Sequence, residues 1–198
     1  MTRADRTLGP AYFDNVYAAD SDPWKFASSA YERDKYAATL AALPKPRYAA
    51  AFEIGCSIGV LTSTLASRCD ALLAVDAAAA PLIEARRRCA ALSNVRFERM
   101  FVPGQWPNGV FDLILLSEIV YYLCAEDVAG LAARVLRSLA FEGDVALVHW
   151  TGETDYPLSG DEAAELFIES MGQSVRVQRL DRSDAFRLDI VRRCSPPD

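Results

Sequence analysis

The 198-residue chain is poor in the groups that several kinds of chemistry require. Its five cysteines (Cys56, Cys69, Cys89, Cys124 and Cys194) are odd in number and nowhere spaced as C-x-x-C, so no metal site is indicated. Most fall inside apolar elements, where a cysteine behaves as a small hydrophobic residue, and this usage suits a reducing cytosol. Positive charge is scarce as well. Lysine and arginine total 21 against 27 aspartates and glutamates, a net charge of -6. An acidic surface repels phosphate backbones, which argues against a nucleic-acid partner. The one dense basic cluster, Arg86 to Arg88, falls on an expected helix and reads as a solvated face. No apolar run is long and uncharged enough to span a bilayer: "VFDLILLSEIVYYLC" is broken by Asp112, Ser117 and Glu118. The opening "MTRADRTLGPAYFDN" lacks the apolar core of a signal peptide. These absences together lead us to expect a soluble cytoplasmic protein that does not engage a membrane.

What the chain has is apolar content, 52% of residues, enough for a buried sheet. Elements alternate along it. "YAAAFEI", "ALLAVD", "VRFERMF", "FDLILLS" and "GDVALVHW" read as strands. "SAYERDKYAATLAAL", "VLTSTLASRC", "APLIEARRRCAAL", "EDVAGLAARVLRSLA" and "GDEAAELFIESM" read as helices. Two terminal runs, "QSVRVQRLDR" and "DAFRLDIVRR", alternate with period two around a turn at Ser183 and Asp184, which predicts an antiparallel hairpin. The expected fold is α/β: a seven-stranded, mostly parallel sheet with helices on both faces. We expect one domain over residues 29–198, preceded by an aromatic arm or lid over 1–28 that carries Tyr12, Phe13, Tyr17, Trp24 and Phe26.

Ligands of such sheets bind beyond the carboxyl ends of the strands. The first of those ends is "FEIGCSIGV", where Gly55 and Gly59 frame a turn into a helix. Glycine lets a ligand approach the backbone closely, and the helix that follows offers free N–H groups. A dinucleotide fingerprint would need glycines two and five residues after Gly55, where Ser57 and Val60 stand. A nicotinamide oxidoreductase is therefore the weakest reading. The single histidine, His149, ends the fifth strand beside the expected crevice, and its ordinary pKa suits a general base. Glu118 follows the strongest strand, where a carboxylate would orient an amine or take its proton. Tyr121 and Tyr122 shape a pocket beside it, and Trp24, Trp106 and Trp150 suit stacking on a sugar ring.

The spacing E-x-G-x-x-x-G from Glu53 to Gly59, with Asp76 ending the second strand 21 residues after Gly55, is similar to the first motifs of class I methyltransferases that use S-adenosyl-L-methionine. More narrowly, "YFDNVYAADSDPWKF", "YERDKYAATLAALPKPRY", "LSEIVYYL" and "HWTGETDYPLSGDE" resemble the NodS-like (nodulation protein S) N-methyltransferases. The resemblance implies a Rossmann-like class I methyltransferase fold. It implies S-adenosyl-L-methionine as cofactor, bound by Tyr31, Arg33, Glu53, Gly55, Cys56, Ser57, Gly59, Asp76, Met100, Phe101 and Ser117. Asp76 would accept the ribose hydroxyls, and Arg33 would pair with the carboxylate at the methionine end. Glu118 and His149 are the catalytic candidates, with Tyr121, Tyr122, Trp150, Asp155 and Tyr156 toward the acceptor. The implied acceptor is the free amine of a deacetylated chitooligosaccharide, a Nod factor precursor, or of a related amino sugar. An O-methyltransferase of a small hydroxylated metabolite and a non-catalytic cofactor-binding module are the alternatives. One feature departs from the wider fold: Met100, Phe101 and Val102 occupy the place after the third strand where an acidic residue often meets adenine.

Overall fold

The computed structural model describes residues 3–195; residues 1, 2 and 196–198, the outer ends of the expected arm and domain, lie outside the described residues. Five parallel strands form most of the sheet: β1 (Tyr48–Ile54), β2 (Cys69–Asp76), β3 (Val95–Arg99), β4 (Phe111–Ser117) and β5 (Leu139–Trp150). The hairpin of β6 (Val175–Arg182) and β7 (Phe186–Arg193) completes it, with β7 antiparallel to both β5 and β6. The strand order is β3-β2-β1-β4-β5-β7-β6. It reverses direction between β1 and β4, which places a crevice above their carboxyl ends.

Helices cover both faces. On one, α5 (Ala125–Ser138) and α6 (Gly160–Met171) pack on Ile54, Ile114, Leu116, Val145 and Leu147. The stripe Val128, Leu131, Ala132 and Val135 on α5 has the i, i+3, i+4, i+7 spacing of a core-facing helix. The other face takes α2 (Ala30–Ala42), α3 (Val60–Leu65) and α4 (Ala79–Arg88), which meet Leu72, Ala74, Leu113 and Leu115. Odd and even residues of each strand thus face different helix layers, as the pleat requires.

Two local expectations need correction. The stretch "VLTSTLASRC" is helical only to Leu65; a 3-10 turn, Ala66–Arg68, follows, and Cys69 already belongs to β2. The third strand stops at Arg99: the Met100 N–H makes a last ladder bond to the Asp76 carbonyl, and the Phe101 N–H then turns to the Gln105 side chain. The arm also contains a helix, α1 (Pro10–Ala19), started by Pro10 in its first turn. It docks across the crevice: the Leu8 N–H donates to the Tyr122 carbonyl, Arg99 pairs with Asp14, and the Tyr17 hydroxyl donates to Ser57 Oγ at 2.5 Å. The Arg86–Arg88 cluster is tied down, Arg87 to Glu84 and the other two to backbone carbonyls of Phe97 and Ile58. Among the described residues no helix is long and apolar enough to cross a membrane.

Candidate active site

The chain leaves β1 through a sharp bend. Gly55 (φ +81°), Ser57 (φ 48°) and Gly59 (φ +75°) all take left-handed backbone, and the Gly55 and Cys56 N–H groups both donate to the Val75 carbonyl. The glycines serve packing more directly than ligand approach. A Cβ on Gly55 would lie 2.2 Å from the Ile119 side chain, and one on Gly59 would lie 2.9 Å from the Ala85 backbone of α4. Gly59 therefore lets α4 close on the bend.

Above this bend lies a cavity of about 440 Å³. Its first half is lined by Glu53, Gly55, Cys56, Ser57, Asp76, Met100, Phe101 and Ser117. The Asp76 carboxylate accepts the Ser57 N–H on one oxygen at 3.0 Å and the Ala78 N–H on the other at 2.9 Å, so each oxygen keeps a lone pair for the cavity. Burial pushes Asp76 up to about 6, against the pull of those two N–H groups. Glu53, 2% exposed, is pushed up to about 7, again chiefly by burial. Its Oε2 has no hydrogen-bond partner. The Cys56 thiol is raised well above its ordinary value by burial and then by Asp76 and Glu53.

The second half is built around Glu118, which also takes left-handed backbone (φ 59°). Such a conformation in a non-glycine residue persists only where its surroundings hold it, and it is common at functional sites. Four groups hold this one. The Glu118 N–H donates to the Val148 carbonyl. Its side chain, 13% exposed, accepts the Lys35 ammonium, the Tyr121 hydroxyl at 2.7 Å and the Trp150 N–H at 2.9 Å. Burial alone would raise the Glu118 pKa, but Lys35 and the Trp150 amide outweigh it and hold the carboxyl below its usual range. Lys35 is 1% exposed and also donates to Glu32 at 3.0 Å. Sequence reasoning missed both Glu32 and Lys35. Continuing the inner stripe of α2 backward from Ala42 and Thr39 by helical spacing would have found them.

Aromatic rings close this half. Tyr121 stacks on Tyr156 at 5.1 Å, Tyr122 packs on Tyr156 at 4.6 Å, and Tyr31 meets Trp150 edge-on at 5.4 Å. All five line the cavity, as does Trp24 from the arm.

The structure moves five expected residues away from the cavity, the first being Gly59, whose open side faces Ala85 of α4. His149 is fully buried on the α6 face, because alternation along β5 sends its neighbours Val148 and Trp150 to the opposite face. Its Nε2 accepts the Val120 N–H at 3.2 Å, and burial pulls its pKa down to about 4. It is a neutral ring beneath Tyr121, not a base at the crevice. Arg33 is exposed on α2, a quarter turn or more from the inward stripe of Glu32, Lys35 and Thr39. Asp155 is exposed, and it is its carbonyl that holds the arm by accepting the Ala4 N–H. Trp106 packs edge-on against Phe52 and donates to Ser138, away from any sugar-binding surface of the cavity.

Strand order, antiparallel hairpin and crevice together define a Rossmann-like class I methyltransferase fold. The chain belongs to the family of nodulation protein S (NodS), whose model matches residues 15–148. It is 30% identical over 118 residues to nodulation protein S of Sinorhizobium fredii (59% of this chain, 54% of that protein) and 33% identical over 130 residues to that of Rhizobium tropici (64% and 54%). The matched stretch thus spans about half the length of these curated relatives. Among solved structures it is similar to a Pseudomonas syringae protein provisionally called a methyltransferase, with 37% identity, a TM-score of 0.73, and coverage of 83% of this chain and all of that one. It also superposes on the N-methyltransferase NodS of Bradyrhizobium japonicum in complex with S-adenosyl-L-homocysteine, at 20% identity with a TM-score of 0.80 over 94% of this chain and 99% of that one.

Proposed function

We propose that the protein is an S-adenosylmethionine-dependent N-methyltransferase of the cytoplasm, acting on the free amine of a deacetylated chitooligosaccharide or a related amino sugar. In this reading the residues before 29 are an arm laid over a methyltransferase domain that begins at Ser29. The observation that carries it is the Asp76 carboxylate, buried at the cavity wall with a lone pair free on each oxygen beside the Gly55 bend. Two free acceptors on one rigid carboxylate suit a pair of vicinal ribose hydroxyls. Ser57, Met100, Phe101 and Ser117 would bound the rest of the nucleoside, and Tyr31 would cover the methionine end. The bound cofactor supplies a methyl group already activated on a sulfonium.

The chain's part is then to position the acceptor amine, which must have shed its proton by the time it attacks, and to keep water out. Glu118, with both oxygens already engaged and its pKa depressed, is a poor proton acceptor. It is better suited to fixing Tyr121 and the Trp150 backbone and to placing negative charge near a developing cation. Tyr121, Tyr122, Tyr156 and Trp150 supply aromatic faces for the cation and the sugar ring. O-methylation would call on a base to deprotonate a hydroxyl, and His149 faces α6 instead, so amine transfer is favoured. The test pairs thermal shift with product analysis. S-adenosylhomocysteine should raise the melting temperature while NAD leaves it unchanged. Mass spectrometry of glucosamine-ended oligosaccharides should then place the new methyl on nitrogen. No shift with S-adenosylhomocysteine, or a methyl on oxygen, overturns the reading.

A further inference from the structure

Two helices of the protein begin with the same S-x-x-E spacing and use it differently. In α6, Ser159 and Glu162 form a complete capping box: the serine accepts the Glu162 N–H, and the glutamate reaches back to accept the Ser159 N–H at 2.8 Å. In α2, Ser29 likewise accepts the Glu32 N–H. Glu32 does not return the bond, however; the Ser29 N–H goes to the Lys25 carbonyl instead. The Glu32 side chain turns into the cavity. There its Oε1 accepts Lys35, and its Oε2, in a residue only 5% exposed, has no hydrogen bond of good geometry, although the Tyr36 hydroxyl lies close enough to pull on the carboxyl. A buried carboxylate oxygen left without a well-placed donor is costly and rare in folded proteins. The charge count points the same way. One lysine stands between Glu32 and Glu118, so the three groups keep one uncompensated negative charge. Burial, set against the pull of Lys35, holds the Glu32 carboxyl above its ordinary range, as expected of an anion short of a counterion.

We infer that Glu32 is a binding residue for a protonated primary amine, the free arm of a Glu32–Lys35–Glu118 clamp in which Lys35 fixes the spacing of the two carboxylates. The outward turn of Arg33 fits this: of the charges α2 brings to the cavity, Lys35 is already held between Glu32 and Glu118, which leaves the free oxygen of Glu32 to meet a cation. The inference rests on the crevice being the cofactor and acceptor site. Two amines could reach Glu32 there, the amino group at the cofactor's amino-acid end and the amine of the acceptor.

Calorimetry separates them. Wild type and Glu32→Gln are titrated with S-adenosylhomocysteine and with its desamino analogue. Both are then saturated with S-adenosylhomocysteine and titrated with glucosamine-ended and N-acetylglucosamine-ended oligosaccharides. Loss of one charge-assisted hydrogen bond predicts that Glu32→Gln weakens the amine-bearing member of one pair by about 10-fold or more while the amine-free member changes less than about twofold. The pair affected identifies the source of the amine. Equal effects on both members of each pair, or no effect on any, overturn the inference. Wild type alone provides a check that needs no variant: if it binds amine-bearing and amine-free members equally in both pairs, Glu32 holds no amine. Failure of S-adenosylhomocysteine to bind at all would instead remove the cofactor reading beneath it.

Discussion

The two halves of the crevice bury carboxylates in opposite ways. Under the Gly55 bend, Glu53 and Asp76 have no cation beside them, and burial lifts them to about 7 and about 6. Across the cavity, Glu118 is almost as enclosed but has Lys35 against it, and its pKa falls below the usual range. One half thus holds two carboxylates with no cation paired to them among the described residues, and in the other two carboxylates share a single lysine. In the proposed function the first meets the cofactor's ribose, whereas in the second Lys35 fixes Glu118 and leaves Glu32 one free arm. The difference lies in one residue of α2 and not in the strands.

Removing that residue is the strongest way to break the contrast. Lys35→Met leaves Glu32 and Glu118 buried without their shared cation, and breaking a buried pair in this way costs about 3–5 kcal/mol. Chemical denaturation should show a loss of that size at pH 8, and a loss below about 1 kcal/mol would mean that Lys35 does not hold the carboxylates. The next effect is smaller but differs in sign between the halves. In the ligand-free protein Glu53 titrates higher folded than unfolded, so its fold binds the proton more tightly. Its contribution is present below its ordinary value of 4.5 and is lost as pH rises toward 7. Glu118 titrates lower folded than unfolded, so its contribution is present above the ordinary range and lost as pH falls. Glu53→Gln should therefore melt above wild type at pH 8 and approach it only below about pH 4, while Glu118→Gln should melt below wild type at pH 8 and approach it in acid. Shifts of the same sign for the two variants would erase the distinction. Smallest is the arm's hold on the first half. Tyr17→Phe removes one buried hydroxyl bond to Ser57 and should cost about 1 kcal/mol by the same denaturation measurement. No measurable loss would show that the arm is held elsewhere.

The first half of the site was largely legible in the sequence and the second was not. Strand periodicity placed β1 and β4 to the residue, and the helix α6 likewise. The glycine spacing and the distance to Asp76 then marked the bend and its carboxylate, because backbone turns and strand ends are local properties. The second half depends on which face a residue takes. His149 is one residue out of phase along β5, and Arg33 is one residue from Glu32 on α2; in each case the neighbour lines the cavity. Lys35 in isolation looks like a solvated helical charge, since its two carboxylate partners are 3 and 83 positions away in sequence. Trp106 has the ring that suits a sugar, yet it packs edge-on against Phe52.

The Cys56 thiol has a consequence of its own. A thiolate is the strongest nucleophile a side chain offers, and one facing an alkyl donor would become alkylated itself. Burial first, and then the negative charge of Asp76 and Glu53, keeps this sulfur as the unreactive thiol. Under the proposed function, the enclosure that would hold a cationic donor would thereby also guard the protein against alkylation by it.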